Sequence, residues 1–393
     1  MRKNYKFYFT DEKITERKFS LTSYVLCLTS TILRHTSNLI RHPSYVIRLT
    51  STILRHASSI IRHPSYVLRL ASKNFLLPSS FLLLTFLLSS CASPQKAVPG
   101  EKELIVVGFS QVGSESDWRN ANTVSMEEAF STENGYRLIL DDAQQKQERQ
   151  ITAIRNFINQ GVDYIVLAPI TMEGWDTVLT EAKTAGIPVI IVDRMVDTDD
   201  PDLFTCWVGS DTHREGSTAA EWMEKNLTGP LNIVHLQGNI GSSPQVGRTE
   251  GLDEGLERNA DWNLVFRASG DFVQAKGQEL MEEVLSKGID FNVIYAENDN
   301  MAYGAIDALK AHDIVPGKDV TIISFDAAHD ALKLVLAGEL NLDVECNPLH
   351  GPRVRALIEQ LNRGETPEKF TYVDEVYFDA SNLTEHIISS RGY

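Results

Sequence analysis

Short apolar runs alternate with amphipathic segments from residue 104 to the end of the chain. Runs of four to six apolar residues that are bounded by Gly, Pro or polar residues are typical of strands buried in a parallel sheet. They predict strands at residues 104–109, 136–140, 164–168, 188–192, 204–208, 232–236, 264–267, 293–296, 320–325, 342–345 and 372–378.

The segments between these runs predict helices. Residues 147–160 place Ile151, Ile154 and Ile158 on one face, and Gly161 follows as a suitable C-cap. Further helices are predicted at residues 177–185, 272–287, 300–310 and 329–337. Regular alternation of strand and helix predicts right-handed β–α–β units on parallel sheets, which is an α/β fold.

The strand pattern predicts two lobes rather than one. About 290 residues follow position 103, which is too many for a single core of this kind. Near-equal sets of strands lie on either side of residues 209–211. We therefore expect two similar α/β lobes whose ligand loops, at the carboxyl ends of the two sheets, face one another across a cleft.

The first 90 residues differ from the rest in charge. They carry 13 Lys and Arg against three Asp and Glu, whereas the remainder carries 24 against 50. The contrast indicates that the two parts are not one folded unit, and the acidic remainder argues against nucleic acid as a partner. Because residues 23–72 hold a 21-residue repeat, we predict that residues 1–73 are a repetitive basic extension, translated from repetitive DNA and not native. A basic amphipathic helix on a membrane surface is the alternative.

Residues 74–90 predict a lipoprotein signal. Basic residues precede an apolar run at 75–88, and small residues precede Cys91. This order is typical of a secretory signal, and the LSSC ending resembles a bacterial lipobox, in which the Cys thiol is lipidated. A transmembrane anchor is the alternative, but the run is short for a bilayer and contains Pro78. Residues 91–103 would then be a linker, with the protein held by its lipid in the periplasm or at the outer face of the cell membrane.

Polar side chains follow the predicted strands at their carboxyl ends, where open α/β sheets bind ligands. An indole ring can stack on the C–H face of a sugar, while guanidinium and carboxylate groups pair with its vicinal hydroxyls. Taken singly, each residue could instead cap a helix or form an ion pair, and the first loop could be a plain turn with an exposed Trp. Their recurrence at one topological position favours a small polyhydroxylated ligand. The candidates are Glu115, Trp118, Arg119, Asp142, Asp193, Arg194, Arg248, Asn298, Asp326 and Asn347.

We find no HExxH, P-loop, GxSxG or Cys-x-x-Cys motif, so no metal, cofactor or catalytic activity is predicted. Carboxylates at Glu115, Asp193 and Asp326 could in principle form a catalytic pair in a sugar-processing enzyme, but no other feature supports one. Cys206 and Cys346 lie in apolar runs and are predicted to be two buried thiols rather than a disulfide.

Six stretches, in order along the chain, resemble the periplasmic sugar-binding proteins of ABC importers, and galactofuranose-binding members most of all. They are SQVGSESDWR from Ser110, QQKQE from Gln144, IVDR from Ile191, SGDFVQAKG from Ser269, AENDNMAYGA from Ala296 and PGKD from Pro316. The resemblance covers nearly all of residues 103–393.

The resemblance implies the periplasmic binding protein type I fold, in which a three-strand hinge joins two Rossmann-like lobes with parallel sheets. Lobe 1 would comprise residues 104–209 plus about 348–371, and lobe 2 residues 210–347 plus about 372–393. Hinge closure would capture a monosaccharide, galactofuranose-like or related, and a monomer would deliver it to an ABC permease in the membrane. Lobe 1 would contact the sugar through Trp118, Arg119, Asp193 and Arg194, and lobe 2 through Arg248, Asn298 and Asp326.

The chain departs from the family pattern at two places. Where related pentose binders carry two adjacent aromatics, Arg119 follows Trp118, so one stacking platform is replaced by a polar contact. Near the last crossover, where some relatives carry Gln, this chain has Glu345, Cys346 and Asn347. Two other functions share the fold: a sugar sensor for a histidine kinase or chemoreceptor, and a repressor-type regulator, which the lipobox and the acidic charge oppose.

Overall fold

The structure is a computed structural model that describes residues 104–393. The predicted basic extension, signal, lipidated Cys91 and linker lie outside the described residues. The described residues, 104–393, belong to one compact unit. Among the helices of residues 104–393, none combines the length and the apolar character that a bilayer crossing needs.

Strands and helices alternate along the described chain, as predicted. The strands are β1 (Ile105–Gln111), β2 (Tyr136–Asp142), β3 (Tyr164–Leu167), β4 (Val189–Val192), β5 (Cys206–Gly209), β6 (Leu231–Gln237), β7 (Trp262–Ser269), β8 (Val293–Ala296), β9 (Thr321–Asp326), β10 (Leu342–Glu345), β11 (Phe370–Tyr372) and β12 (Tyr377–Asp379). The helices are α1 (Asp117–Ala129), α2 (Gln147–Gln160), α3 (Asp176–Thr184), α4 (Thr212–Asn226), α5 (Ser243–Arg258), α6 (Gln274–Ser286), α7 (Asp299–Ala311), α8 (His329–Ala337), α9 (Gly351–Asn362) and α10 (Glu385–Ser390).

The strands form two six-stranded sheets, one in each lobe. The lobe 1 sheet has the order β11-β5-β4-β3-β1-β2, and all its pairs are parallel. The lobe 2 sheet has the order β12-β10-β9-β8-β6-β7 and is parallel except for β10 with β12. The predicted class of two α/β lobes is therefore confirmed. In each sheet the strand order reverses beside the first strand, which opens a crevice at the carboxyl ends of the strands.

The lobes are held by apolar strands that are covered on both faces by helices. Strands β3, β4, β5, β8 and β10 are buried along their whole length, and the first four have the continuous apolar sequence that such burial favours. Helix α2 has the predicted bounds and ends at Gly161, whose φ of 63° lies in the left-handed region that glycine adopts without steric cost. Its Ile154 is fully buried, and burial of such a side chain contributes about 1.5–3 kcal/mol.

The described chain crosses between the lobes three times. The first crossing lies between Gly209 and Thr212, the second between Glu345 and Gly351, and the third between Tyr372 and Tyr377. The third crossing corrects the prediction of one strand at residues 372–378. That segment contains two short strands, because β11 pairs with β5 in lobe 1 whereas β12 pairs with β10 in lobe 2.

Candidate ligand-binding site

A small cavity of about 30 Å³ lies between the lobes at the carboxyl ends of both sheets. Lobe 1 lines it with Glu115, Ser116, Trp118, Arg119, Asp193 and Arg194. Lobe 2 lines it with Pro244, Arg248, Phe272, Asn298 and Asp326, and the second crossing contributes Cys346. The cavity thus brings together eight of the ten residues that the sequence predicted.

Asp142 and Asn347 do not line the cavity. Asp142 ends β2, which is an edge strand, and its exposed carboxylate accepts a hydrogen bond from the Gln144 amide at 2.8 Å. Asn347 lies on the second crossing, where its Oδ1 accepts from the Leu349 amide at 3.0 Å. Both side chains hold local turns.

The loop after β1 places its aromatic and its guanidinium in the first turn of α1. Ser116 caps this helix, because its Oγ accepts a hydrogen bond from the Arg119 amide at 3.1 Å. The alternative of an exposed Trp is wrong, since Trp118 is 5% exposed and its Nε1 donates to the Cys346 carbonyl at 2.6 Å. The Arg119 guanidinium carbon lies 4.6 Å from the centre of the Trp118 ring.

Four charged side chains of lobe 1 form a buried network. Arg119 Nη1 lies 2.8 Å from Asp193 Oδ2, and Arg119 Nε lies 3.2 Å from Glu115 Oε1. Burial opposes the charge of Arg119, but Asp193 and Glu115 outweigh it and raise the pKa of the guanidinium. Arg119 therefore stays charged.

The guanidinium of Arg194 has longer contacts with these carboxylates than that of Arg119. Its guanidinium lies 4.0 Å from Glu115 Oε1 and 3.9 Å from Asp193 Oδ2, and burial together with the nearby Arg119 lowers its pKa to about 10. Arg194 Nε and Glu115 Oε2 are buried without a hydrogen-bond partner. Buried polar atoms are rarely left unpaired, so these two mark the place where a polar ligand would bind.

Arg248 is the matching cation of lobe 2. Its Nε donates to Glu215 Oε2 at 2.6 Å, its Nη1 donates to the Glu297 carbonyl, and its Nη2 lies 3.6 Å from Asp326 Oδ1. Burial opposes its charge, but the two carboxylates raise the pKa of Arg248 well above its usual value. Burial raises the pKa of Asp326 although Arg248 lies nearby. Of the two carboxyl groups that face Arg248, Asp326 is therefore the one whose negative charge is less completely compensated.

Close helix packing places Arg248 beside its partner. A Cβ on Gly216 of α4 would lie 2.8 Å from the Arg248 carbonyl, and a Cβ on Gly251 of α5 would lie 2.3 Å from Gly216. Because glycine occupies both positions, the two helices approach closely enough for Arg248 on α5 to meet Glu215 on α4.

Three cavity residues have a left-handed backbone. The φ angles are 64° at Asp193, 64° at Phe272 and 113° at Asp326, and each residue lies at or just after the end of a strand. Such conformations cost about 1–3 kcal/mol for residues other than glycine and cluster at functional sites. They turn the chain sharply, and each of the three side chains lines the cavity.

Phe272 is the cavity residue of most consequence that the sequence did not single out. It enters from lobe 2 and is 5% exposed, and its ring centre lies 5.3 Å from the Arg194 guanidinium carbon. The cavity therefore has a second aromatic ring, supplied by the opposite lobe rather than by the position after Trp118. Phe272 belongs to the SGDFVQAKG stretch, but its placement depends on a backbone conformation that sequence pattern does not reveal.

Comparison with known proteins assigns the chain to a family. A model described as periplasmic binding protein domain matches residues 107–344, which is more than half of the chain. The protein belongs to the periplasmic binding protein family. This match, together with the two lobes and three crossings, confirms the family and fold predicted from the sequence.

Several members of the family are similar over most of their length. The galactofuranose-binding protein of Escherichia coli (strain K12) is 39% identical over 288 residues, which cover 72% of this chain and 90% of that protein. A Mycobacterium smegmatis protein solved in complex with β-D-fucofuranose is 41% identical, with a TM-score of 0.68 over 70% of this chain and 92% of the other. The periplasmic binding protein of an arabinose ABC transporter from Shewanella sp. ANA-3, bound to α- and β-L-arabinofuranose, is 35% identical, with a TM-score of 0.68 over 73% and 99%.

Proposed function

We propose that this protein is the substrate-binding protein of an ABC sugar importer and that it captures a monosaccharide in the furanose form. The observation that carries the proposal is the buried cavity into which both lobes direct an aromatic ring and paired charges. The three relatives support it, because their descriptions name galactofuranose, fucofuranose and arabinofuranose. These sugars differ in their substituents but share the five-membered ring.

Each group of the cavity suits a part of such a ligand. A sugar hydroxyl both donates and accepts hydrogen bonds, so it can satisfy the unpartnered Arg194 Nε and Glu115 Oε2 together. Asp193 and Asp326 would accept from hydroxyls on the two sides of the ring. The rings of Trp118 and Phe272 would cover its apolar C–H surfaces. Hydrogen bonds to charged groups contribute about 1.5–3 kcal/mol each, enough for tight binding of a small polar ligand.

Capture would operate by hinge closure. A sugar that bridges Asp193 of lobe 1 and Asp326 of lobe 2 binds the closed form better than the open form and shifts the population towards it. The three crossings would act as the hinge. The function requires binding and release only, and no bond in the sugar is made or broken.

The same proposal covers location and partners. Cys91 would carry the lipid that holds the protein in the periplasm or at the outer face of the cell membrane. From there the closed protein, a monomer, would deliver its sugar to the ABC permease. Expression of the full chain with Cys91→Ser is expected to release the protein from the membrane fraction into the soluble one.

Calorimetry on the chain from Ala92 tests sugar binding. D-galactose, D-fucose and L-arabinose each contain furanose forms in water, whereas D-glucose is almost wholly pyranose. We expect sub-micromolar affinity, about −8 kcal/mol or stronger, for one of the first three. The anomeric ¹³C resonance of the bound sugar should report the furanose ring.

Matched variants connect the affinity to the cavity. Asp193→Asn and Asp326→Asn preserve shape but remove charge, and each is expected to weaken binding at least 100-fold. Asp200→Asn, which removes an exposed partner of Lys183, is expected to leave it unchanged. A folded protein that binds no sugar of the panel, or whose affinity survives both cavity variants, would refute the proposal.

A further inference from the structure

A second cavity, of about 650 Å³, lies beside the hinge. Half of its lining residues are charged, including Arg214, Glu215, Glu221, Glu345 and Glu375. The Arg214 and Glu221 side chains are 61% and 53% exposed, so solvent reaches this cavity directly. None of its lining residues lines the proposed sugar cavity, although Cys346 of the sugar cavity lies close by, and the proposed function makes no use of this second cavity.

Three metal-ligating groups converge where this cavity meets the hinge. Glu215 follows the first crossing, Cys346 lies on the second and Glu375 on the third. One ligand atom from each lies within 4.8 Å of the other two. One potential ligand therefore comes from the first turn of α4, directly after the first crossing, and one from each of the other two crossings.

Cys346 Sγ lies 3.3 Å from Ser210 Oγ, but hydrogen bonding leaves the two carboxyl groups of this cluster incompletely satisfied. Glu215 is 4% exposed; its Oε2 accepts from Arg248, while its Oε1 is buried without a partner. Both hydrogen bonds to Glu375, from Ser210 Oγ at 2.7 Å and from the Asn347 amide at 2.6 Å, go to Oε1. The second oxygen of Glu375 remains available for a ligand.

One guanidinium, that of Arg248, contacts this cluster through Glu215 Oε2, and the same guanidinium also faces Asp326 in the sugar cavity. Two carboxyl groups and a thiol therefore converge while sharing this cation with the sugar cavity. Such a set of donor groups suits a divalent cation.

We propose that Glu215, Cys346 and Glu375 form a binding site for a zinc-like divalent cation, with water as the fourth ligand. One thiolate and two carboxylates suit Zn²⁺, which binds both sulfur and oxygen in tetrahedral geometry, whereas Ca²⁺ and Mg²⁺ take oxygen ligands. Binding releases the thiol proton. The cation would join the start of α4 to the second and third crossings and would influence the hinge.

Cobalt(II) provides a direct test, because a cobalt–thiolate bond gives a near-ultraviolet charge-transfer band. The chain from Ala92, which retains the whole compact unit, has Cys206 and Cys346 as its cysteines. We expect the band on Co²⁺ addition and its loss when Zn²⁺ displaces Co²⁺. Cys346→Ser should abolish the band, and Cys206→Ser, a matched change at a buried thiol in lobe 1, should retain it.

A second variant tests the site independently in case Cys346→Ser does not fold. Glu375→Gln preserves the size and the acceptor oxygen and is expected to weaken Co²⁺ binding at least tenfold while the far-ultraviolet circular dichroism stays unchanged. The proposal is overturned if the wild type gives no band, if the band persists in Cys346→Ser, or if Glu375→Gln binds Co²⁺ as tightly as the wild type.

The site would be coupled to sugar binding through Glu215, which also holds Arg248. This coupling, unlike the metal site itself, rests on the proposed function. Since the cation competes with Arg248 for the same carboxylate, saturating Zn²⁺ is expected to raise the sugar Kd about fivefold or more. An unchanged Kd with Zn²⁺ bound would remove the coupling and leave the metal site standing, whereas a band without any sugar binding would contradict only the proposed function.

Discussion

The residues of the interlobe cavity are distinguished by incomplete pairing of buried charge. Arg119 and Arg248 each contact a carboxylate at hydrogen-bond distance, but Arg194 reaches its two carboxylates only at about 4 Å. Removing a charge from water is costly unless close partners replace the water. Among these three cations Arg194 is therefore the least compensated, and its Nε is one of the two atoms that a sugar hydroxyl would satisfy.

Two further carboxyl groups stabilise the turn directly after Asp326 by accepting hydrogen bonds from its backbone amides. Asp343 Oδ1 accepts from the Ala327 amide at 3.0 Å, and Asp299 Oδ2 accepts from the Ala328 amide at 2.8 Å. Both carboxyls are buried, and burial raises both pKa values, that of Asp343 to about 8. We infer that these two side chains position Asp326, whose φ of 113° requires support from its neighbours.

The raised pKa of Asp343 predicts how stability depends on pH. Because the folded pKa lies above the unfolded value of about 3.9, the protonated carboxyl stabilises the folded protein at low pH. That contribution falls as pH rises from about 4 to about 8, by about 1.4 kcal/mol per pH unit for one group, and then levels off. Asp343→Asn is expected to flatten this slope in urea unfolding measured between pH 5 and pH 8.

A matched control is Asp330→Asn, which changes a carboxylate that is 72% exposed and should retain the wild-type slope. Equal slopes in the wild type and in Asp343→Asn would argue against a raised pKa at this position. The measurement is a difference between variants, so the contribution of a buried acid outside this cluster, such as Glu375, cancels.

Sequence reasoning found most cavity residues because they follow strands whose carboxyl ends meet at the crevice. Asp142 follows the same rule, but β2 lies at the edge of its sheet, and the sequence does not reveal strand order. Phe272 could not be predicted because its place in the cavity depends on local backbone conformation rather than on strand order. Its position depends on φ angles of 52° and 64° at Asp271 and Phe272, which local pattern does not encode.

The two elements that support the cavity from lobe 2 are the loops after β6 and β7. A Cβ on Gly238, at the end of β6, would lie 1.9 Å from Phe272 Cζ. The Gly238 amide donates to the buried Glu297 Oε2 at 2.6 Å, so this loop cannot move away freely. Glycine at 238 is what allows the aromatic ring to enter the cavity.

Gly238→Ala is therefore expected to displace Phe272 and to weaken sugar binding at least tenfold, as measured by calorimetry. Gly392→Ala adds the same methyl group where no other atom lies within 4 Å and should leave the affinity unchanged. If Gly238→Ala binds the sugar as tightly as the wild type while remaining folded, Phe272 does not contribute to the site.

Element bounds were predicted best where the sequence pattern is local. Helix α2 and strands β8 and β10 have the predicted limits, because each combines continuous apolar or amphipathic patterning with clear breaks. The segment 372–378 has an equally regular pattern, but its two halves pair with strands of different lobes. Which sheet a short strand joins is decided by tertiary contacts, and these are not visible in the segment itself.

At the scale of the whole molecule, the described conformation is closed. Backbone and side-chain hydrogen bonds join the lobes at three places: the Met172 amide to the Gly241 carbonyl at 2.8 Å, the Met195 amide to Ser243 Oγ at 2.9 Å, and the Asp117 amide to Asn300 Oδ1 at 3.1 Å. These hydrogen bonds between the lobes are few compared with the packing contacts inside the core of each lobe. We infer that the lobes separate when no ligand bridges them.

Small-angle X-ray scattering on the chain from Ala92 tests this central claim most directly. With the sugar identified by calorimetry at saturation, the radius of gyration is expected to fall, because a ligand that bridges both lobes selects the closed form. Without sugar the scattering should fit an open arrangement, and Asp326→Asn should stay open at sugar concentrations that close the wild type. An unchanged radius of gyration in wild-type protein shown to be saturated with sugar would contradict capture by hinge closure.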